Sequence, residues 1–322
     1  MSSDATSSAW RAEYDVVYSS SRDTDCQLFT DVYLPAHPAP LLLLFHGWHG
    51  ERRSARHMAQ VLAPYFVVVN VDMRGRGPSG GVPDVNGWEL LDGIDAVNYV
   101  RRRYAEFIRD PETVYCLGGS GGGGNTYAAM AKFPHFFAAG VVLCGISDYA
   151  LWYNGDRVGE FRDEMDVWLG VTPDQDPNAY RARSGLHLLP NLRAPLLIFH
   201  GVEDPRVPVV MARRYKAFAE ELSKPVAYVE LPGLGHDLRL PEYLSVVLSF
   251  FDDHRRSPHP EAQARWLVGG YIQIGNQRLE LDSINDLTEV DCALDEQGRV
   301  RSVAAVDSYT GNIRVVPAYT TP

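Results

Sequence analysis

The sequence predicts an α/β fold, a mostly parallel central sheet with helices on both faces. Three observations carry the prediction. Short apolar, strand-like runs alternate with amphipathic helical stretches. A Gly-x-Ser-x-Gly pentapeptide lies where one such strand passes into a helix, and an aspartate and a histidine follow, each in a loop after a later strand. The 322 residues suffice for one large core with a smaller unit appended.

In chain order, Tyr14 to Leu34 holds two alternating stretches that read as an antiparallel edge hairpin. Leu41 to His46 is a continuous apolar run, the form of a strand covered on both faces. A polar helix around Ser54 to Ala63 leads to a second such strand, Phe66 to Asp72. Trp88 to Tyr104 places Leu91, Ile94, Ala96, Val97, Tyr99 and Val100 near helical spacing. Val114 to Leu117 is the strand before the pentapeptide; a helix to Lys132 and the strand Ala138 to Cys144 follow. Pro195 to Gly201 and Val226 to Leu231 read as strands, with helices over Val209 to Leu222 and Pro241 to His254. These elements make one unit over residues 10–256.

Between Ser147 and Leu192 the alternation breaks into a stretch rich in Trp, Tyr and acids. Lying between two strands, residues 148–192 are expected to form a lid-like helical insertion over the pocket. From about Ala262 the character changes again. Tyr271 to Ile274, Arg278 to Leu281, Glu289 to Leu294, Val300 to Val306 and Ile313 to Val316, separated by turn residues, predict a small β-meander of four or five strands over residues 262–322. It holds too little material for a large core of its own. It is expected to pack on the α/β unit or on a second subunit, the latter making the chain a homo-oligomer.

The run Gly118-Gly119-Ser120-Gly121-Gly122 fits a nucleophile elbow, a turn so tight that the serine is strained and residues two positions away must lack bulk. No Gly-Lys-Ser/Thr follows, as a phosphate cradle would require. Serine needs a base, and the base an orienting acid. Asp204, in the loop leaving Pro195 to Gly201, is the candidate acid, with Glu203 and Asp237 as rivals and a helix-capping role as the plainer reading. His236, in Pro232-Gly233-Leu234-Gly235-His236, is the candidate base. Two preorganised N–H groups are also required where negative charge develops: those of Gly121 and Trp48 are the candidates. Trp48, Trp152, Tyr153, Glu160 and Glu164 are candidate substrate contacts. The acids of the insertion read either as a solvated helix face or as receivers of a cationic group such as a peptide amino terminus.

The net charge of −11 argues against nucleic acid or an anionic membrane as partner. No run is long enough to span a bilayer, and Met1 to Thr6 lacks the form of a secretory leader. Cys26, Cys116, Cys144 and Cys292 form no CxxC pair, and a reducing, cytoplasmic setting is expected. His46, His49 and His57 lack the carboxylate pattern of a zinc hydrolase, so no metal and no organic cofactor is expected.

The pieces His46-Gly47, Asp72-Met73-Arg74-Gly75-Arg76-Gly77, Gly118-Gly119-Ser120-Gly121-Gly122, Asp176-Pro177-Asn178-Ala179-Tyr180, His200-Gly201-x-x-Asp204 and Gly235-His236 together resemble the α/β-hydrolase fold. Within it they are most similar to the catalytic domain of the prolyl oligopeptidase family. The resemblance covers about residues 10 to 256 and implies Ser120, Asp204 and His236 as nucleophile, acid and base, in the α/β-hydrolase order. It implies hydrolysis of an ester or peptide bond through an acyl-serine. Peptidases of the family usually carry an amino-terminal β-propeller, whereas only about forty residues precede the first core strand here, so the resemblance implies esterases and deacetylases beside peptidases. A catalytically silent fold used for binding is the remaining alternative. The C-terminal meander is no part of the resemblance.

Overall fold

Continuous apolar runs become the inner strands of an eight-stranded sheet in the order β1-β2-β4-β3-β5-β6-β7-β8. The computed structural model describes residues 9–156, 158–237 and 239–318; the amino-terminal segment read for a leader and the last four residues of the meander lie outside them. The edge hairpin is β1 (Trp10–Ser19) and β2 (Gln27–Pro35), paired antiparallel, with β2 antiparallel to β4 (Val67–Val71). From β4 onward every neighbour is parallel: β3 (Leu41–Phe45), β5 (Val114–Gly119), β6 (Ala139–Leu143), β7 (Leu196–Gly201) and β8 (Val226–Leu231). Every residue of β3, β4, β5, β6 and β7 is buried, as strands covered on both faces must be.

The two covering layers follow from the apolar stripes of the helices. One face packs α2 (Trp88–Arg103), α3 (Gly121–Lys132) and α7 (Val210–Glu221) in a core that includes Leu91, Ile94, Val97, Tyr127 and Tyr215. The other packs α1 (Arg56–Leu62) and α8 (Leu240–Asp253) through Ala59, Leu62, Val247 and Phe251. The insertion is helical as expected: α4 (Tyr149–Gly155), α5 (Arg162–Leu169) and α6 (Pro177–Arg181) share an aromatic core of Tyr149, Trp152, Phe161 and Tyr180.

The C-terminal region forms a six-stranded antiparallel sheet, one strand more than the sequence reading recognised, and it is not a plain meander. The missed strand is β9 (Gln263–Gly269), whose Ala264, Trp266 and Val268 turn inward while the adjoining Gly269-Gly270 reads as a break. Its partners are β10 (Tyr271–Ile274) on one side and β12 (Leu287–Leu294) on the other; β11 (Gln277–Glu280) joins β10, β13 (Val300–Ala305) joins β12, and β14 (Arg314–Pro317) crosses to pair with β11. The sheet has a small core of its own around Trp266, Ile272, Leu279 and Val290, while Tyr271 belongs to the main core.

It packs onto the α/β unit, one of the two expected arrangements. Tyr271 stacks on Trp88 at 4.8 Å between ring centres, and its hydroxyl donates to the Gly87 carbonyl at 2.9 Å. Asn191 bonds both the N–H and the C=O of Leu267. Lys132, the last residue of α3, is buried with its ammonium over the Tyr271 ring and donating to the Gly269 carbonyl. All twelve residues of α3 are buried, including its only lysine. The four cysteines are free and buried, and no helix among the described residues is long and apolar enough to cross a membrane.

Candidate active site

The parallel pairing brings the loops after β3, β5, β7 and β8 to one edge of the sheet; Trp48, Ser120 with Gly121, Asp204 and His236 follow those strands, while Trp152, Tyr153, Glu160 and Glu164 lie in the insertion after β6. Ser120 joins β5 to α3 with φ 57° and ψ −122°, a left-handed conformation strained for any residue but glycine. Its own N–H is tied to the Leu143 carbonyl at 2.9 Å, which holds the turn against β6. The small neighbours are needed by close approach: a Cβ at Gly118 would fall on the Gly122 carbonyl, and one at Gly122 on the carbonyls of Phe45 and His46.

His236 donates from Nδ1 to Asp204 Oδ2 at 2.7 Å, an assignment that leaves Nε2 as the basic nitrogen. Asp204 Oδ1 accepts the N–H groups of Arg206 at 2.9 Å and Val207 at 2.8 Å. Burial alone would raise this carboxyl, but the bonds from His236 and the Val207 amide outweigh it and hold its pKa below the usual value. The capping reading fails, because α7 begins after Val209 and receives no side-chain cap. Glu203 is exposed, and Asp237 lies 3.6 Å from Arg239, so of the three carboxylates considered Asp204 is the one on His236.

The two candidate N–H donors meet. A Cβ on Gly121 would sit 2.5 Å from the Trp48 amide nitrogen. Among the described residues neither the Trp48 amide nor the Gly121 amide donates to a protein group. Arg76 anchors the chain one peptide beyond the Trp48 N–H, donating to the Trp48 carbonyl at 2.9 Å, and lies over the Trp168 ring. Arg76, within the Asp72-to-Gly77 run, is a supporting residue that nothing in the local sequence marks. Two adjacent, fixed and unengaged amides are what a developing oxyanion requires.

The insertion closes on this loop. Glu164 accepts the Trp48 indole N–H and lies 3.1 Å from His49 Nε2. Glu160 pairs with Arg206 at 2.8 Å, two residues beyond Asp204. Trp152 packs edge-on to Trp48 at 4.9 Å and donates to the Arg206 carbonyl. Tyr153 is buried, its hydroxyl bonded to Asp166, which fixes α4 to α5. Trp48, Gly121, Asn125 and Trp168 help line a cavity of about 30 Å³.

The three histidines weighed as ligands separate. His46 is buried, its pKa pulled down to about 4 by that burial, and it links the Gly47 carbonyl to the Met73 amide. His49 faces Glu160 and Glu164, and His57 is exposed on α1. The structure instead gathers Cys144, His200 and Asp204, whose donor atoms lie within 4.8 Å of one another. The donors do not suit a metal: Asp204 is engaged by His236, His200 Nε2 by the Val207 carbonyl at 2.7 Å, and burial pushes the Cys144 thiol up to about 12.

With fold and site in view, the chain belongs to the prolyl oligopeptidase family, whose model matches residues 53–255. It is 26% identical over 225 residues to dipeptidyl peptidase family member 6 of Caenorhabditis elegans, covering 65% of this chain and 30% of that protein. Dipeptidyl aminopeptidase BIII of Pseudoxanthomonas mexicana is 28% identical over 228 residues, 64% of this chain and 31% of that one. The chain thus spans about a third of the length of these curated relatives. Among solved structures, Pyrococcus horikoshii acylaminoacyl peptidase superposes with a TM-score of 0.65 at 21% identity, over 79% of this chain and 43% of its own. The acetyl xylan esterase from Paenibacillus sp. R4 gives 0.59 at 19% identity, over 79% of this chain and 87% of its own. Both share the α/β-hydrolase fold.

Proposed function

We propose that the chain is a serine hydrolase acting on a small carboxylic ester or a short peptide through an acyl-serine. His236 takes the Ser120 proton as Ser120 attacks the carbonyl carbon. Asp204 holds the imidazole in the tautomer with Nε2 unprotonated and stabilises the imidazolium that forms. The Gly121 and Trp48 amides receive the oxyanion. The imidazolium then protonates the leaving alcohol or amine, and water, deprotonated by His236, hydrolyses the acyl-enzyme.

The observation that carries this reading is the conjunction of a strained Ser120 elbow with two adjacent unengaged amides. The His236–Asp204 bond at the same sheet edge supports the relay. On substrate, the cavity of about 30 Å³ beside Gly121 has room for roughly one or two waters, which favours a short acyl group walled by Trp48. Trp152 buttresses that wall. Glu160 and Glu164 are engaged by Arg206, His49 and Trp48, so we assign them to holding the insertion on the oxyanion loop. The test is a matched panel of p-nitrophenyl acyl esters and aminoacyl or dipeptidyl p-nitroanilides with a Ser120→Ala control. Turnover of short-chain esters lost in the control is expected; turnover that survives Ser120→Ala refutes the proposal. Anilide turnover lost in the control would make the chain a peptidase.

A further inference from the structure

The far side of the sheet holds a feature that the hydrolytic reading does not use. Between the end of α3, the segment after α8 and the β10–β11 turn lies a cavity of about 460 Å³, within the size range of metabolite sites. His135 opens onto it from just beyond α3, with its side chain 4% exposed. Neither ring nitrogen has a hydrogen-bond partner, and the Glu261 carboxylate, at 3.9 Å, is too far to serve. Burial pulls this imidazole down to about 4, so the ring is neutral and offers one donor and one acceptor. The Nε of Arg101, on α2, is likewise buried without a partner, while its Nη1 donates to Asn98. Buried polar groups left unmatched are rare in native proteins.

The charge around the cavity is the reverse of the chain's. Arg101, Arg255 and Arg256 line it against a single carboxylate, Glu112, in a protein of net charge −11. Arg255 is occupied by Asp252, whereas Arg256 makes no ion pair among the described residues. Asn276, in the β10–β11 turn, completes the wall from the C-terminal sheet. We propose that this cavity is a second binding site, for a metabolite-sized oxyanion, a carboxylate or phosphate on a small organic body, held by Arg101, His135 and Arg256. Such a ligand bridges the α/β unit and the C-terminal sheet. The site is remote from the nucleophile: Thr113 and Ser120 lie at opposite ends of β5, about 20 Å of strand. It therefore stands whether or not the hydrolase reading holds.

The test is thermal unfolding and titration calorimetry of the full chain with inorganic phosphate and with citrate, at constant ionic strength. A saturable rise in Tm with at least one probe is expected, and the probe that binds names the oxyanion. Arg256→Gln, at the exposed rim, should fold as the parent does yet raise the midpoint concentration about tenfold or more, the scale of one lost charge-assisted hydrogen bond. His135→Gln should weaken binding similarly, and Ser120→Ala should leave it unchanged. No saturable binding of either probe, or equal binding by Arg256→Gln and the parent, overturns the proposal.

Discussion

Replacing Asp204 by Asn separates the roles of that carboxylate. Oδ1 of the amide can still accept the N–H groups of Arg206 and Val207, so the loop after β7 should keep its shape. The other end becomes an NH₂ group facing His236 Nδ1, now 2.7 Å from a carboxylate oxygen. Two donors cannot share that line, so the imidazole takes the opposite tautomer, with Nε2 protonated and unable to receive the Ser120 proton. Loss of the productive tautomer costs about 10⁴-fold in kcat/KM in serine hydrolases of this design, about 5.4 kcal/mol of transition-state stabilisation. The folded carboxyl has a depressed pKa, so its stabilising share is present above the unfolded value and is lost as pH falls through the folded one. Asp204→Asn should therefore also flatten the acid limb of the stability curve. The assay is kcat/KM for p-nitrophenyl acetate, with Tm measured across acid pH. A loss under about tenfold with Tm unchanged, together with collapse of activity in Asp237→Asn or Glu203→Gln, would refute Asp204 as the acid.

Other perturbations probe the supports of the site. Gly122→Ala drives a methyl into the carbonyls of Phe45 and His46, and should destabilise the fold by at least about 1–3 kcal/mol, read by urea unfolding; an unchanged midpoint would contradict the close approach. Lys132 is pulled down to about 7 chiefly by burial, from an ordinary 10.5. Between those values the unfolded chain binds more protons, so stability should rise with pH, by up to about 3–5 kcal/mol over the window. Lys132→Met should remove that slope, measured by denaturant unfolding at about pH 7 and about pH 9.5. Glu164→Gln should slow esters and anilides by the same factor, about 3–10-fold in kcat, because the carboxylate serves the Trp48 loop. A rise in KM confined to substrates with a free amino terminus would show instead that it receives the substrate's cation.

The elements that position the site were legible because their signals are local. A strand buried on both faces is a continuous apolar run, and the Ser120 elbow must carry glycines at fixed offsets, so β3, β4, β5 and α3 could be read from neighbouring letters. Asp204 and His236 were legible as loop residues after apolar strands. What escaped depends on partners distant in sequence. Glu164 meets Trp48 across 116 residues, and Asn191 meets Leu267 across 76. Arg52, fully buried between Asp31 and Asp72, reads as one more arginine of a polar loop, though its backbone N–H also reaches Asp72. The C-terminal strands close around Trp266, and Tyr271 docks on Trp88; neither contact leaves a period in the sequence.

The central claim is that Ser120 is an activated nucleophile, and the most direct measurement is labelling of the full chain with a fluorophosphonate, followed by mass mapping of the adduct. The account predicts one adduct, on Ser120, formed rapidly in the parent, slowed by orders of magnitude in His236→Ala and absent in Ser120→Ala. An unlabelled Ser120, or an adduct at another residue that persists in Ser120→Ala, would contradict it.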